Sequence, residues 1–146
     1  MARNSFSFTV FGYEPRPQGS KKYVGSRRTA AGNNIPLIIE ASPGLPVWRK
    51  AVSDAVVQGM QDSGDLSKFE GALKVEAVFY VTRKPTVKRA FPTVPPDVDK
   101  LARSLLDSCK PVWGDDSQVV RLEVSKKYAT GQPGVAVTIT NYSESV

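Results

Sequence analysis

Five aspartates fall between Asp97 and Asp116: Asp97 and Asp99 around Val98, then Asp107, then the adjacent pair Asp115 and Asp116. They belong to a chain with 20 lysines and arginines against 14 acids, a formal charge of +6. Crowded carboxylates repel one another, so such a group either stays solvated or shares a cation. The structural reading is ordinary. Asp97 or Asp99 caps a helix start and complements its dipole, by about 1 kcal/mol. Asp99, Arg103 and Asp107, spaced i, i+4, i+8, form a surface ladder, and Gly114-Asp115-Asp116 makes a turn. The chemical reading brings Asp97 and Asp99 together with Asp115 or Asp116. Three carboxylates without imidazole or thiol suit a hard cation, Mg²⁺ or Mn²⁺. In a basic protein such a site suits phosphodiester cleavage, the metal activating water while cationic loops hold phosphate.

Elimination narrows the chemistry. There is no histidine, and Cys109 is the single cysteine. A Ser-His-Asp or Cys-His mechanism, an imidazole-held metal, an internal disulfide and a clustered-cysteine zinc site are therefore excluded. Catalysis has to come from Asp, Glu, Lys, Arg, Tyr or Ser, with or without an oxygen-bound metal.

The positioning elements can be read from periodicity. "SFSFTVFG" (Ser5–Gly12) alternates as a strand. "YEPRPQGSKKYVGSRRTAAGNN" (Tyr13–Asn34) is rich in Pro, Gly, Lys and Arg and reads as a long loop. A helix follows Pro43, with Val47, Ala51, Ala55 and Met60 near one face, Trp48, Val52 and Val56 beside them, and Gly64 as its stop. "GALKVEAVFYVTR" (Gly71–Arg83) alternates Leu73, Val75, Ala77, Phe79 and Val81 as a strand, and a second basic loop, Arg83–Pro96, follows. From Val98, the spacing of Leu101, Ala102, Leu105 and Leu106 predicts a helix that Lys110-Pro111 ends. Two final strands, "SQVVRLEVSKKYA" and "GVAVTITNY", are expected to form a hairpin around Thr130–Gly134. The expected fold class is α+β, a small mixed sheet with two packed helices in the order β-α-β-α-β-β. At 146 residues, one domain over 1–146 is expected.

No apolar run is long enough for a membrane span, and "MARNSFSFTV" lacks the apolar centre of a secretory signal, so a cytosolic location is expected. A charge of +6 is compatible with nucleic acid, anionic membranes or plain solubility, so its distribution matters more. Arg16, Lys21, Lys22, Arg27 and Arg28 lie in the first basic loop and Lys84, Lys88 and Arg89 in the second. Any one of them alone reads as solvated charge; two clusters flanking the acids read as phosphate contacts. Tyr23 could stack on an unpaired base. Trp48 and Trp113 read as core, and Cys109, at a helix end, as inert.

The run Asp97-Val98-Asp99-Lys100-Leu101, then Arg103, Leu106-Asp107 and Trp113-Gly114-Asp115-Asp116-Ser117-Gln118-Val119-Val120, resembles the RusA family of Holliday junction resolvases. The family pattern is D-x-D-N-L-x-K, a helix ending in a D-A-L-like step, a short gap, then D-D-x-Q-V. "PRPQGSKK" (Pro15–Lys22) resembles the segment after the family's first strand. The resemblance implies a RusA-like fold and a Mg²⁺-dependent homodimer, with Mn²⁺ a possible substitute, that nicks opposed strands of a four-way DNA junction. It places the catalytic, metal-binding carboxylates on Asp97, Asp99 and Asp116, the functional lysine on Arg103, and the family's asparagine on Lys100. Arginine keeps the positive charge but cannot give up a proton, so Arg103 fits phosphate stabilisation and not general-acid work. Lys100 adds a cation for phosphate, and Asp107 and Asp115 are left to structural support. Small size and motif suggest a phage or prophage origin, hence a bacterial host cytoplasm. A flap or general branched-DNA nuclease would look the same, and a DNA-binding recombination accessory protein without activity is the alternative from another class.

Overall fold

The computed structural model describes residues 3–19, 21–28, 30–40 and 43–143, with the backbone alone along 21–28 and 34–40. Its central strand is β4 (Leu73–Val81), which buries every second residue from Leu73 to Val81. Around it lie β1 (Ser5–Phe11), β5 (Val119–Tyr128) and β6 (Gly134–Asn141) in the order β1-β6-β4-β5. β6 pairs antiparallel with both β1 and β4, whereas β5 pairs parallel to β4. α1 (Leu45–Ser63) and α2 (Val98–Ser108) pack on one face of this sheet. The elements β1, α1, β4, α2, β5 and β6 supply the expected β-α-β-α-β-β order, and the fold is α+β.

Alternation explains the layering. Phe6, Phe8 and Val10 of β1 and Val135, Val137 and Ile139 of β6 join the β4 residues beneath the helices. Trp48, Val52, Val56 and Met60 of α1 and Leu101 and Leu105 of α2 close the core from above. The other sheet face is polar, with Ser7 Oγ 3.1 Å from Thr138 Oγ1 and Lys74 paired to Glu76 at 2.8 Å. α1 ends at Gly64, whose φ of 72° is a left-handed conformation that glycine adopts without a Cβ clash. Val47, expected on the apolar face, is exposed, and Leu45 takes the inward position.

Two expectations need correction. The stretch Tyr13–Asn34 is not one long loop: β2 (Lys21–Arg28) pairs antiparallel with β3 (Asn34–Glu40), with a bulge between Tyr23 and Gly25. The sequence of β2 shows no apolar face, so its strand character comes from pairing with the Ile-rich β3 rather than from alternation. β5 and β6 are not a hairpin, because β4 lies between them. The cause is α2: a helix joining β4 to β5 makes the crossover that sets two strands parallel.

Candidate functional site

Everything in the candidate site hangs on α2. Asp97 is its N-cap residue, with extended backbone (φ −72°, ψ 140°) and no capping bond from its own side chain. The carboxylate is left outward, 3.5 Å from Lys100 Nζ, with both side chains about half exposed. The lead into the helix is fixed from β5, where Lys126 Nζ donates to the carbonyls of Val94 and Pro96, each at 2.8 Å. The Pro15–Gly19 segment is laid along α2 at three points. Ser104 Oγ donates to Arg16 O at 2.7 Å, Gln18 N donates to Lys100 O at 3.0 Å, and Gln18 Nε2 donates to Asp107 Oδ2 at 2.5 Å.

Asp99, Arg103 and Asp107 follow one another on this helix at steps of four residues, about 6 Å each along the axis. Asp99 and Arg103 are exposed and Asp107 is half-buried. Among the described residues no ion pair joins Arg103 to either aspartate, so the surface ladder does not form. Arg103 presents an unpaired guanidinium between two acids.

The turn after α2 decides between the two adjacent aspartates. Asp115 caps a short 3₁₀ turn (Asp116–Gln118), its carboxylate accepting from Ser117 N at 2.8 Å. Gln118 completes the box. Its Oε1 accepts from Gly114 N and Asp115 N, and its Nε2 donates to the carbonyls of Phe69 and Gly71. The Ser117 backbone N–H first, then the Ser117 hydroxyl and the Lys110 charge, hold the Asp115 carboxyl below its ordinary range against the effect of burial. Asp116 is thereby turned the other way, to Asp107. Trp113, wholly buried, donates its indole N–H to Asp116 Oδ1 at 2.9 Å. Burial raises the proton affinity of Asp116; the Trp113 N–H opposes this, and the Asp107 carboxyl adds to it by hydrogen bonding and like charge. Cys109 lies against this end of the helix, fully buried, and burial followed by the Asp116 charge pushes its thiol far up, which leaves it unreactive.

The structure thus brings Asp116 together with Asp107, and it sets Asp99 about 12 Å and Asp97 about 15 Å from Asp107 along α2. Among the described residues no three acidic or thiol groups stand close enough to form a closed metal cage. The donor set still fits a hard cation, because Mg²⁺ is commonly held by one or two carboxylates with substrate phosphate and water completing its shell. A cation there would offset both the burial of ionised Asp116 and the neighbouring Asp107 charge, which together raise its proton affinity. The part played by Asp107, Gln18 and Trp113 was not visible in the spacing. The available signal was Trp113 itself, since a buried indole N–H needs an acceptor and Asp116 lies three residues on.

Of the cationic candidates, Lys84, Lys88 and Arg89 are exposed on the loop between β4 and α2. Arg89 Nε donates to Tyr128 OH at 2.8 Å, and the Arg83 guanidinium lies 4.6 Å from the centre of the Tyr128 ring. Lys100 stands beside Asp97. Lys21, Lys22, Arg27 and Arg28, with Tyr23, are on β2, and their side chains lie outside the described residues. Among the described residues no helix is long and apolar enough to cross a membrane.

The fold and site are those of a small α+β protein with an acid-bearing helix, a carboxylate pair at its end and cations on the preceding loop. The chain belongs to the RusA family, matching endodeoxyribonuclease RusA over residues 13–140. That span runs from β2 into β6 and takes in both acidic stretches, leaving out β1. No curated protein matches the chain individually.

Proposed function

We propose that this protein is a Mg²⁺-dependent endonuclease, with Mn²⁺ a possible substitute, that resolves four-way DNA junctions as a homodimer by paired nicks in opposed strands. The observation that carries the reading is the family match across 13–140, a span that contains Asp97, Asp99 and Asp116. The division of labour at the Asp115-Asp116 pair supports it. One carboxylate is consumed by a cap, and the other is kept in a repulsive, partly buried contact that a cation would relieve. When bound, the metal supplies an activated water and stabilises the leaving oxygen. Asp97 and Asp99 would hold one ion at the start of α2 and Asp116, with Asp107 beside it, a second at its far end, since the two groups stand too far apart to share one. Arg103 stabilises charge developing on the phosphate, while Lys84, Lys88, Arg89, Lys100 and the β2 cations bind the DNA backbone. A phage or prophage origin would place the work in the host cytoplasm.

One chain carries one such helix, so two opposed nicks need two copies, related most simply by a two-fold axis. The test uses labelled four-way, flap and linear duplex DNA with and without Mg²⁺, beside light scattering. The expected results are junction-selective, metal-dependent cutting and a mass near twice 15.9 kDa. A plasmid with an extruded cruciform should become mainly linear. Equal cutting of flaps points instead to a general branched-DNA nuclease. Junction binding without cutting at any metal concentration points to an accessory protein, the reading that Lys100 and Arg103 favour as departures from the family pattern.

A further inference from the structure

The loop between β4 and α2 encloses a cavity of about 230 Å³ that the carboxylate site does not use. Val81, Val87, Val94 and Pro96 give it apolar walls, and the Tyr128 ring closes one side. Lys84 and Arg89 line it too and are exposed, whereas Glu14 is half-buried. The walls are held in place before any ligand arrives. Lys126 pins the carbonyls of Val94 and Pro96, Val87 N donates to Lys84 O at 3.0 Å, and Arg89 is tied to the Tyr128 hydroxyl. Pro96 is joined directly to Asp97, so the cavity opens beside the acidic end of α2.

We propose that this cavity receives one unstacked nucleobase of the DNA strand being cut, next to the cleaved phosphate. The proposal rests on the junction-cutting reading above. Size and lining favour a single flat ring: the space is below that of drug-sized ligand sites, and its valine and proline walls are joined by the polar groups of Glu14, Thr82 and Tyr128 that a base edge can meet. Charge decides which part of a nucleotide enters. Glu14 also lines the cavity, its two oxygens accepting from Thr82 N at 3.0 Å and Thr82 Oγ1 at 2.7 Å. A fixed carboxylate inside repels phosphate and accepts from the N–H edge of a base. The exposed cations attract the flanking phosphates. The base therefore goes in and the backbone stays out. Unstacking costs least where pairing is already interrupted, and a branch point is such a place.

The experiment uses four-way junctions with 2-aminopurine at successive positions around the branch, bound by full-length protein in EDTA, with gel shifts to establish binding. Stacking quenches this base, so extrusion should brighten it at least about twofold at one position beside the cut and nowhere else. Val94→Trp, at a side chain 40% exposed, should fill the cavity and abolish the brightening. Glu14→Gln should instead keep the extrusion and change which bases are preferred at that position when cleavage is mapped in Mg²⁺. Bound junctions that brighten at no position, or that brighten equally with Val94→Trp, overturn the proposal while leaving junction cutting intact. Brightening without cutting in Mg²⁺ supports the cavity and overturns the nuclease reading. A protein that neither binds nor cuts junctions overturns both.

Discussion

Replacing Asp107 with asparagine separates the stability of the acidic site from its activity, because the two should move in opposite directions. Asp116 has a proton affinity raised by burial and by the Asp107 carboxyl beside it. A carboxyl whose folded pKa lies above its unfolded value, about 3.9, costs stability once ionised. The folded state therefore loses stability as pH rises from that value through the raised one, and the loss is complete at neutral pH. Two unit charges 4 Å apart repel by about 4 kcal/mol in surroundings of effective dielectric near 20. Asp116 is only partly buried, and solvent screening brings the net penalty to about 1 kcal/mol. Asp107→Asn keeps the shape, removes one charge and supplies an amide donor. Gln18 Oε1, buried and without a partner, becomes an available acceptor once its amide turns. Urea unfolding should show the variant more stable by about 1 kcal/mol at pH 8, little changed near pH 4, with the denaturant slope unaffected. Its junction cleavage in Mg²⁺ should be slower by at least about tenfold. A variant less stable than the parent at pH 8 would refute the repulsive pair, whatever its activity.

The other predictions follow the same helix. Asp99→Asn should abolish cleavage while junction affinity in a gel shift stays equal or tightens, since a ligand and a phosphate-repelling charge are lost together; cutting at the parental rate would remove Asp99 from the metal site. Arg103→Ala should slow cleavage at least about tenfold, roughly 1.4 kcal/mol of transition-state stabilisation, and Arg103→Lys should keep or raise the rate. Equal damage from both would assign the bidentate arginine geometry a role that charge alone cannot fill. Ser104→Ala should cost about 1–3 kcal/mol in urea unfolding, because the wholly buried Ser104 hydroxyl ties Arg16 O to α2 and its loss strands that carbonyl.

How far the sequence could be read depended on whether a feature was local. The alternation of β4 and the apolar stripe of α2 are periodic within a few residues, and both elements stand where expected. β5 reads equally well as a strand, yet its neighbour is fixed by the α2 crossover and not by its own residues. The choice between Asp115 and Asp116 could not be made from spacing. It is made by Gln118 reaching back to Phe69 and Gly71, in a segment distant along the chain. The contact of Gln18 with Asp107 spans 89 residues and carries no sequence signature. β2 failed for a different reason: its lysines, arginines, glycine and serine leave no apolar period to detect, although its backbone pairs with β3 on both sides of the bulge.

The placement of the acids on α2 bears on why they are there. Asp97 and Asp99 stand at the positive end of the helix dipole, where a carboxylate is stabilising, so helix energetics alone would account for them. Asp107 is at the opposite end, in the last turns, where an acid is unfavourable and no basic residue of that turn offsets it. It also faces a second carboxylate, Asp116, which the chain aims toward it by using Asp115 and Gln118 for the cap. The charge of Lys110 moderates Asp116 but does not reverse its raised proton affinity. Two local preferences are thus broken at one point. Such conflicts concentrate where function requires them. A bound cation would reverse the sign of both, making the dipole end and the second carboxylate favourable together. The acids at the start of α2 are accounted for by helix energetics alone; the pair at its far end is not.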